Sequence, residues 1–168
     1  MILLRKKGEL KHRMSVEDVK KHFREKQLDY KVTEVKDSTA TVELAAKALG
    51  VKPALIAKTL SFKLKNDRNI LLVTKGDARI DNRKYKDFFK VKAKMLKPDE
   101  VLEVTGHSIG GVCPFGLKDS LEIYLDKSLK DFEYVFPAAG SGNSFIKITP
   151  GELQKITDSI WVDVCKDI

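Results

Sequence analysis

The sequence predicts an α+β fold: a single compact domain with a largely antiparallel or mixed sheet and helices packed around it. Three observations carry this reading. The chain has 168 residues, the size of one domain and enough to bury roughly two-thirds of its unfolded surface without a disulfide or metal. Strand-like and helix-like stretches are mixed without regular β-α-β repetition, which argues against a doubly wound parallel sheet. Two apolar stretches flank the turn Asn66-Asp67-Arg68-Asn69, the pattern of a hairpin.

The elements follow in order. Residues 1–13 carry five Lys or Arg against the single acid Glu9 and read as a flexible basic leader. The domain proper then spans residues 14–168. Ser15 with Asp18 makes a capping-box-like start. Val16, Val19 and Phe23 give one face of a helix that ends near Gln27. Residues 30–35 read as a short strand. Thr41 caps a second helix with a buried stripe of Leu44, Ala45, Ala48 and Leu49, closed by Gly50. Pro53 opens a short helical turn. Leu60, Phe62 and Leu64 alternate with polar residues as a half-buried strand, and residues 70–73 form its return. Asp81 or Asn82 caps a helix bearing Tyr85, Phe88 and Phe89. Pro98-Asp99-Glu100 opens another, and Gly106 ends it. Leu121, Ile123 and Leu125 alternate as a strand, and residues 134–136 and 145–148 form two more. Thr149-Pro150-Gly151-Glu152 starts a helix, and residues 161–164 make a last strand.

Composition narrows the function. No run of eighteen apolar residues occurs, so no membrane span is expected. Met1-Ile2-Leu3-Leu4 is too short for a signal peptide, and the basic residues follow it rather than precede it. Cys113 and Cys165 lie far apart, which fits a reduced, cytoplasmic protein better than a disulfide framework. No Cys/His cluster has zinc-ligand spacing, and no cofactor motif is found. The net charge of +8 favours an anionic partner, nucleic acid above all, or serves solubility alone. The strongest local bias lies between Arg79 and Lys97, eight basic residues against Asp81 and Asp87. It reads as a solvated face or as a backbone-tracking patch for RNA. It is not interleaved with exposed-looking aromatics, so base stacking is not indicated.

Chemistry concentrates in residues 105–116, Thr-Gly-His-Ser-Ile-Gly-Gly-Val-Cys-Pro-Phe-Gly. Four glycines let the backbone approach a ligand closely, and Pro114 stiffens the loop. Free N–H groups in such a loop can aim at a carbonyl oxygen or a phosphate. Cys113 with His107 is a possible nucleophile and base, or a buried pair. Lys58, between Ile56 and Leu60, can hold a carboxyl, carbonyl or phosphate as a point charge. Its plainer role is that of an edge residue. Neither a nucleophile elbow nor a P-loop is present.

Thr41-Val42-Glu43-Leu44-Ala45-Ala46, Leu49-Gly50-Val51, Ile56-Ala57-Lys58-Thr59-Leu60, Gly76-Asp77, the 105–116 loop and Ala139-Gly140-Ser141 form an ordered set. This set resembles the YbaK/EbsC family, the free-standing relatives of the editing domain inserted in bacterial prolyl-tRNA synthetase. The resemblance runs from about Ser15 to Val164 and leaves only the basic leader unmatched. It implies a barrel-like sheet and hydrolysis of the ester joining a wrong amino acid to a tRNA. The partner it implies is an aminoacyl-tRNA, above all tRNA(Pro), with prolyl-tRNA synthetase as a second partner. By the same resemblance Lys58 is the functional lysine. Gly110, Gly111 and Pro114 belong to a glycine-to-proline loop that polarises the aminoacyl carbonyl. Gly76, Asp77, His107, Gly140, Ser141 and Asn143 are substrate-binding, and Cys113 is packing. The attacking group is water oriented by the substrate's own 2′-hydroxyl, with no cofactor and no metal. Three readings follow: a trans-editing deacylase, a non-catalytic tRNA-binding module, or a cysteine hydrolase using Cys113 and His107.

Overall fold

A computed structural model describes residues 15–36, 41–108 and 110–167. The basic leader and the start of the domain at Met14 lie outside the described residues. Five helices and seven strands occur among those residues. Helix α1 (Val16–Glu25) begins in a capping box: the Ser15 hydroxyl accepts the Asp18 N–H, and the Asp18 carboxylate accepts the Ser15 N–H at 2.7 Å. Its Val19 and Phe23 are buried. Strand β1 is only Thr33–Glu34. The longer strand expected at residues 30–35 fails because Leu28, Tyr30 and Val32 turn onto the main core instead.

Helix α2 (Val42–Leu49) has Thr41 as its N-cap and Gly50 at φ 70° as its left-handed stop. Its buried face is Ala45 and Ala46, with Val42 and Leu49 packed beside them. This corrects the expected stripe: Leu44 is 47% exposed and Ala48 is exposed. The spacing i, i+3, i+4, i+7 starts at Val42, not two residues later at Leu44.

A helical turn at Pro53–Leu55 leads into β2 (Ile56–Lys63) and β3 (Asn69–Lys75). Then come α3 (Asn82–Phe89), capped by Asp81, and α4 (Pro98–Thr105), stopped by Gly106 at φ 81°. Strands β4 (Glu122–Asp126), β5 (Phe136–Pro137) and β6 (Ser144–Phe145), helix α5 (Pro150–Thr157) and strand β7 (Ile160–Val162) complete the order.

The large sheet runs β5-β2-β3-β4-β7. It is mixed: β2 and β3 form the expected antiparallel hairpin, while β2–β5, β3–β4 and β4–β7 are parallel. Parallel partners need long crossovers, and α3, α4 and the glycine-rich loop form the one between β3 and β4. The β1–β6 pair is tied to the β5 end through the Ala138–Phe145 and Val135–Ile148 bridges.

Both faces of the sheet are covered. Leu71, Val73 and Leu125 pack with Val19, Phe23 and Phe115 on one side, and Ile70, Leu72 and Tyr124 pack with Tyr85 and Val162 on the other. The apolar return strand expected at residues 70–73 is buried throughout, with Ile70 to Val73 all at 0% exposure, and the alternation expected at residues 121–125 gives way to continuous burial from Ile123 to Asp126. Burial of each such side chain contributes roughly 1.5–3 kcal/mol.

Candidate active site

The site grows from a gap along one edge of β2. At its start, Ile56 and Ala57 pair with β5. Further on, the Lys63 N–H donates to Lys94 O at 2.9 Å and the Leu96 N–H donates to Ser61 O at 3.1 Å. Between these two pairings lies a cavity of about 280 Å³. Lys58, Thr59 and Leu60 form its floor, α2 contributes Thr41, Val42 and Ala45, and Gly110 and Val112 come from the glycine-rich loop. The remaining wall is Ser61 and apolar residues, including Val101, Ala138 and Phe145. Such a pocket suits a small acyl group held by few polar contacts.

Lys58 is half-buried, and its ammonium donates to Ala78 O at 2.6 Å. One of its three donors is thus used. Burial pushes its pKa below the ordinary lysine range, and the carboxylates of Asp77 and Glu43 offset part of that shift. The anchor itself is fixed by the chain's last segment: the Asp81 N–H donates to Val164 O at 2.9 Å and the Lys166 N–H to Arg79 O at 2.8 Å.

Thr59 is a site residue that the sequence did not single out. Its Oγ1 is buried without a hydrogen-bond partner among the described residues, and the residue lines the cavity. Buried polar atoms are rarely left unpaired, and of the four such side-chain atoms among the described residues Thr59 Oγ1 is the one on a cavity-lining residue. A threonine inside a strand reads as an ordinary β-former, so only its place beside Lys58 could have marked it.

The glycine-rich loop is stapled shut from inside. The Lys118 N–H closes its base on Thr105 O at 3.0 Å. His107 Nε2 lies 2.8 Å from Phe115 O, and the Cys113 thiol donates to the same oxygen at 3.4 Å. Both residues show 0% exposure. Burial pushes the Cys113 thiol up to about 12 and lowers the His107 pKa, so both are neutral near pH 7. This corrects the cysteine-hydrolase reading: a thiol needs its thiolate and a path to substrate, and Cys113 has neither. His107, expected to touch substrate, is not in the cavity wall and instead shapes the loop.

The two small-residue loops meet backbone to backbone. A Cβ on Gly111 would stand 3.0 Å from Ser141 Cα, and Gly140, at φ 102°, lies against the Ser15 carbonyl. Ser141 Oγ donates to Asn143 Oδ1 at 2.6 Å, and Asn143 Nδ2 donates to Val35 O at 3.0 Å. Gly110, at φ 90°, is brought into the cavity wall with Lys58, whereas Gly111, Pro114, Gly140, Ser141 and Asn143 stand behind it. Gly76 is also outside the wall: a Cβ there would collide with Pro53 O and Val42 Cγ1, so its role is close packing. Asp77 is exposed and acts on Lys58 through its charge.

No cluster of three His, Cys, Asp or Glu fit to hold a metal ion occurs among the described residues. No helix there is long and apolar enough to cross a membrane.

The chain belongs to the aminoacyl-tRNA editing domain family, whose sequence profile matches residues 36–156. Among particular proteins, it is 54% identical to YwhH of Bacillus subtilis, an uncharacterized protein, over 92% of this chain and 99% of that one. It is 32% identical to the proline–tRNA ligase of Bacillus licheniformis over 55% of this chain, which spans only 16% of that ligase. It is 24% identical, over 74% of this chain and 76% of the relative, to EbsC of Enterococcus faecalis, described as a candidate Cys-tRNA(Pro)/Cys-tRNA(Cys) deacylase. A crystal structure described as a candidate trans-editing enzyme for prolyl tRNA synthetase superposes with a TM-score of 0.83 at 30% identity, over 90% of this chain and 97% of that one.

Proposed function

We propose that this protein is a trans-editing aminoacyl-tRNA deacylase acting on tRNA(Pro) that carries a small or polar amino acid. The observation that carries the proposal is the small cavity on the β2 edge, where Lys58, Thr59 and the Gly110 main chain line one acyl-sized space. The names of the relatives supply the substrate class, and the cavity supplies its scale.

In this reading the aminoacyl group enters the cavity and the terminal adenosine stays at its mouth. Main-chain groups around Gly110 polarise the ester carbonyl, as preformed donors do for a developing oxyanion. Lys58, with two donors left, holds a phosphate or the aminoacyl end. Water attacks the carbonyl carbon, the bond to the ribose oxygen breaks, and the proton of the water passes to that oxygen. The substrate's 2′-hydroxyl orients the water, and for a cysteinyl ester the substrate thiol can attack in its place. No protein base is required, in keeping with the buried Cys113–His107 pair. Such a second site has a purpose, since one methylene distinguishes amino acids by only about 1–3 kcal/mol at the synthetic site.

The test is single-turnover deacylation of tRNA(Pro) charged with Ala, Cys, Ser, Thr or Pro. Hydrolysis of one mischarged ester, lost in Lys58→Ala, is expected. Intact tRNA binding with no hydrolysis of any ester would favour the non-catalytic binding module. Prolyl-tRNA synthetase is the second partner proposed, and the cytoplasm, where charged tRNA is used, is the proposed compartment.

A further inference from the structure

We infer that Lys90, Lys92 and Lys94 form a phosphate track that leads the single-stranded 3′ end of a tRNA to the mouth of the cavity. The inference rests on the aminoacyl-tRNA reading and adds where the nucleic acid lies.

The sequence Lys90-Val91-Lys92-Ala93-Lys94-Met95 alternates strictly, although it belongs to no sheet ladder. Val91 and Ala93 pack against the second core cluster, and the three lysines are exposed. The segment is fixed rather than loose. Lys94 O accepts the Lys63 N–H at 2.9 Å, the Leu96 N–H donates to Ser61 O at 3.1 Å, and Met95 bridges Phe62. Met95 is 54% exposed and also lines the cavity. The row of lysines therefore ends where the cavity opens. Lys92 and Lys94, alternate residues of extended chain, stand about 6.6 Å apart, a repeat that the phosphates of a stretched single strand can follow, while Lys90, at φ 63°, heads the row as the left-handed cap of α3.

Lys90, Lys92 and Lys94, like Arg79, Arg83, Lys86 and Lys97, are in no ion pair among the described residues, whereas three lysines near them are neutralised. Lys84 is held by Asp163 at 3.2 Å and Asp167 at 3.1 Å, Lys63 by Glu100 at 2.6 Å, and Lys75 by Asp131 at 3.2 Å. Residues 88–98 contain no Asp or Glu, and no carboxylate pairs with Lys90, Lys92 or Lys94 among the described residues. Three unneutralised ammonium groups in a row, beside an acyl-sized pocket, fit a polyanion whose end enters that pocket. A duplex stem would need a broader face than one extended segment, so the track is assigned to the unpaired end.

The experiment measures binding of uncharged tRNA(Pro), intact and with its last three nucleotides removed, to the wild type, to Lys90→Ala/Lys92→Ala/Lys94→Ala and to a control, Arg83→Ala/Lys86→Ala. The triple variant is expected to bind intact tRNA about tenfold more weakly at low salt, with the slope of log affinity against log salt reduced by about 2. It should bind the trimmed tRNA as the wild type does. The control should keep the preference for intact tRNA. Equal binding of intact tRNA by the triple variant and the wild type would overturn the inference. So would an equal loss for both tRNAs, which would assign these lysines to the duplex. None of these readouts needs hydrolysis. Track-dependent binding without deacylation would therefore refute the deacylase reading alone, whereas deacylation with track-independent binding would refute the track alone.

Discussion

Replacing Thr59 by valine should stabilise the protein and weaken its activity, a combination that a merely structural threonine would not produce. Thr59 Oγ1 is buried with no partner among the described residues, so the free protein bears the desolvation cost of a hydroxyl without a compensating bond. That cost is about 1–3 kcal/mol in general. Thr59 is only partly buried as a residue, which places its share at the low end. Valine keeps the shape and suits a strand. A gain of about 1 kcal/mol is expected, or about 2–4 °C in Tm for a chain of this size. In the substrate complex the same hydroxyl gains its partner, and a neutral hydrogen bond is worth about 0.5–1.5 kcal/mol net. The variant should therefore lose about twofold to tenfold in kcat/KM. Calorimetry and single-turnover deacylation read the two halves separately. A lowered Tm would mean that the hydroxyl is already satisfied in the folded protein. An unchanged kcat/KM would remove Thr59 from the substrate contacts.

Three further predictions concern the loops. Gly111→Ala places a Cβ about 3.0 Å from Ser141 Cα and C, backbone that cannot swing aside. It should cost about 1–3 kcal/mol by overpacking and lower activity as the two loops part, read by Tm and kcat/KM together. Cys113→Ser should retain most deacylation, because the thiol is buried and held protonated; loss of activity with an unchanged Tm would restore a chemical role for it. His107 has a folded pKa below its ordinary 6.5 because of burial, so unfolding takes up a proton as the pH drops. Its contribution to stability is full above 6.5 and falls as the pH falls toward the folded value. His107→Gln should flatten the decline of Tm between about pH 7 and about pH 5, and an unaltered decline would show that other groups cause it.

The sequence made the local features legible. The caps at Ser15, Thr41, Asp81 and Thr149, the left-handed stop at Gly50 and the β2–β3 hairpin all follow from short-range chemistry, and each occurs. The parallel pairings did not show, because residues such as Leu71 and Ile123 pair only after a long crossover that leaves no local signal. Phe88 was hidden for a related reason. It is 48% exposed within a basic stretch that reads as free of exposed aromatics, because α3 presents only Tyr85 fully to the core. At the site, Lys58 and the glycine-rich loop were readable as rare residue types in odd surroundings. Thr59, Met95 and Val101 were not, since a cavity at a strand edge is a property of what fails to pair there.

The central claim is that Lys58 and the β2-edge cavity hydrolyse an aminoacyl ester. The most direct measurement is single-turnover hydrolysis of mischarged tRNA(Pro) by the wild type and by Lys58→Ala, with Pro-tRNA(Pro) as the cognate control. Rapid hydrolysis of a mischarged ester with the cognate ester spared, falling by about a hundredfold or more in the variant, is the predicted result. Equal hydrolysis by both proteins would contradict it.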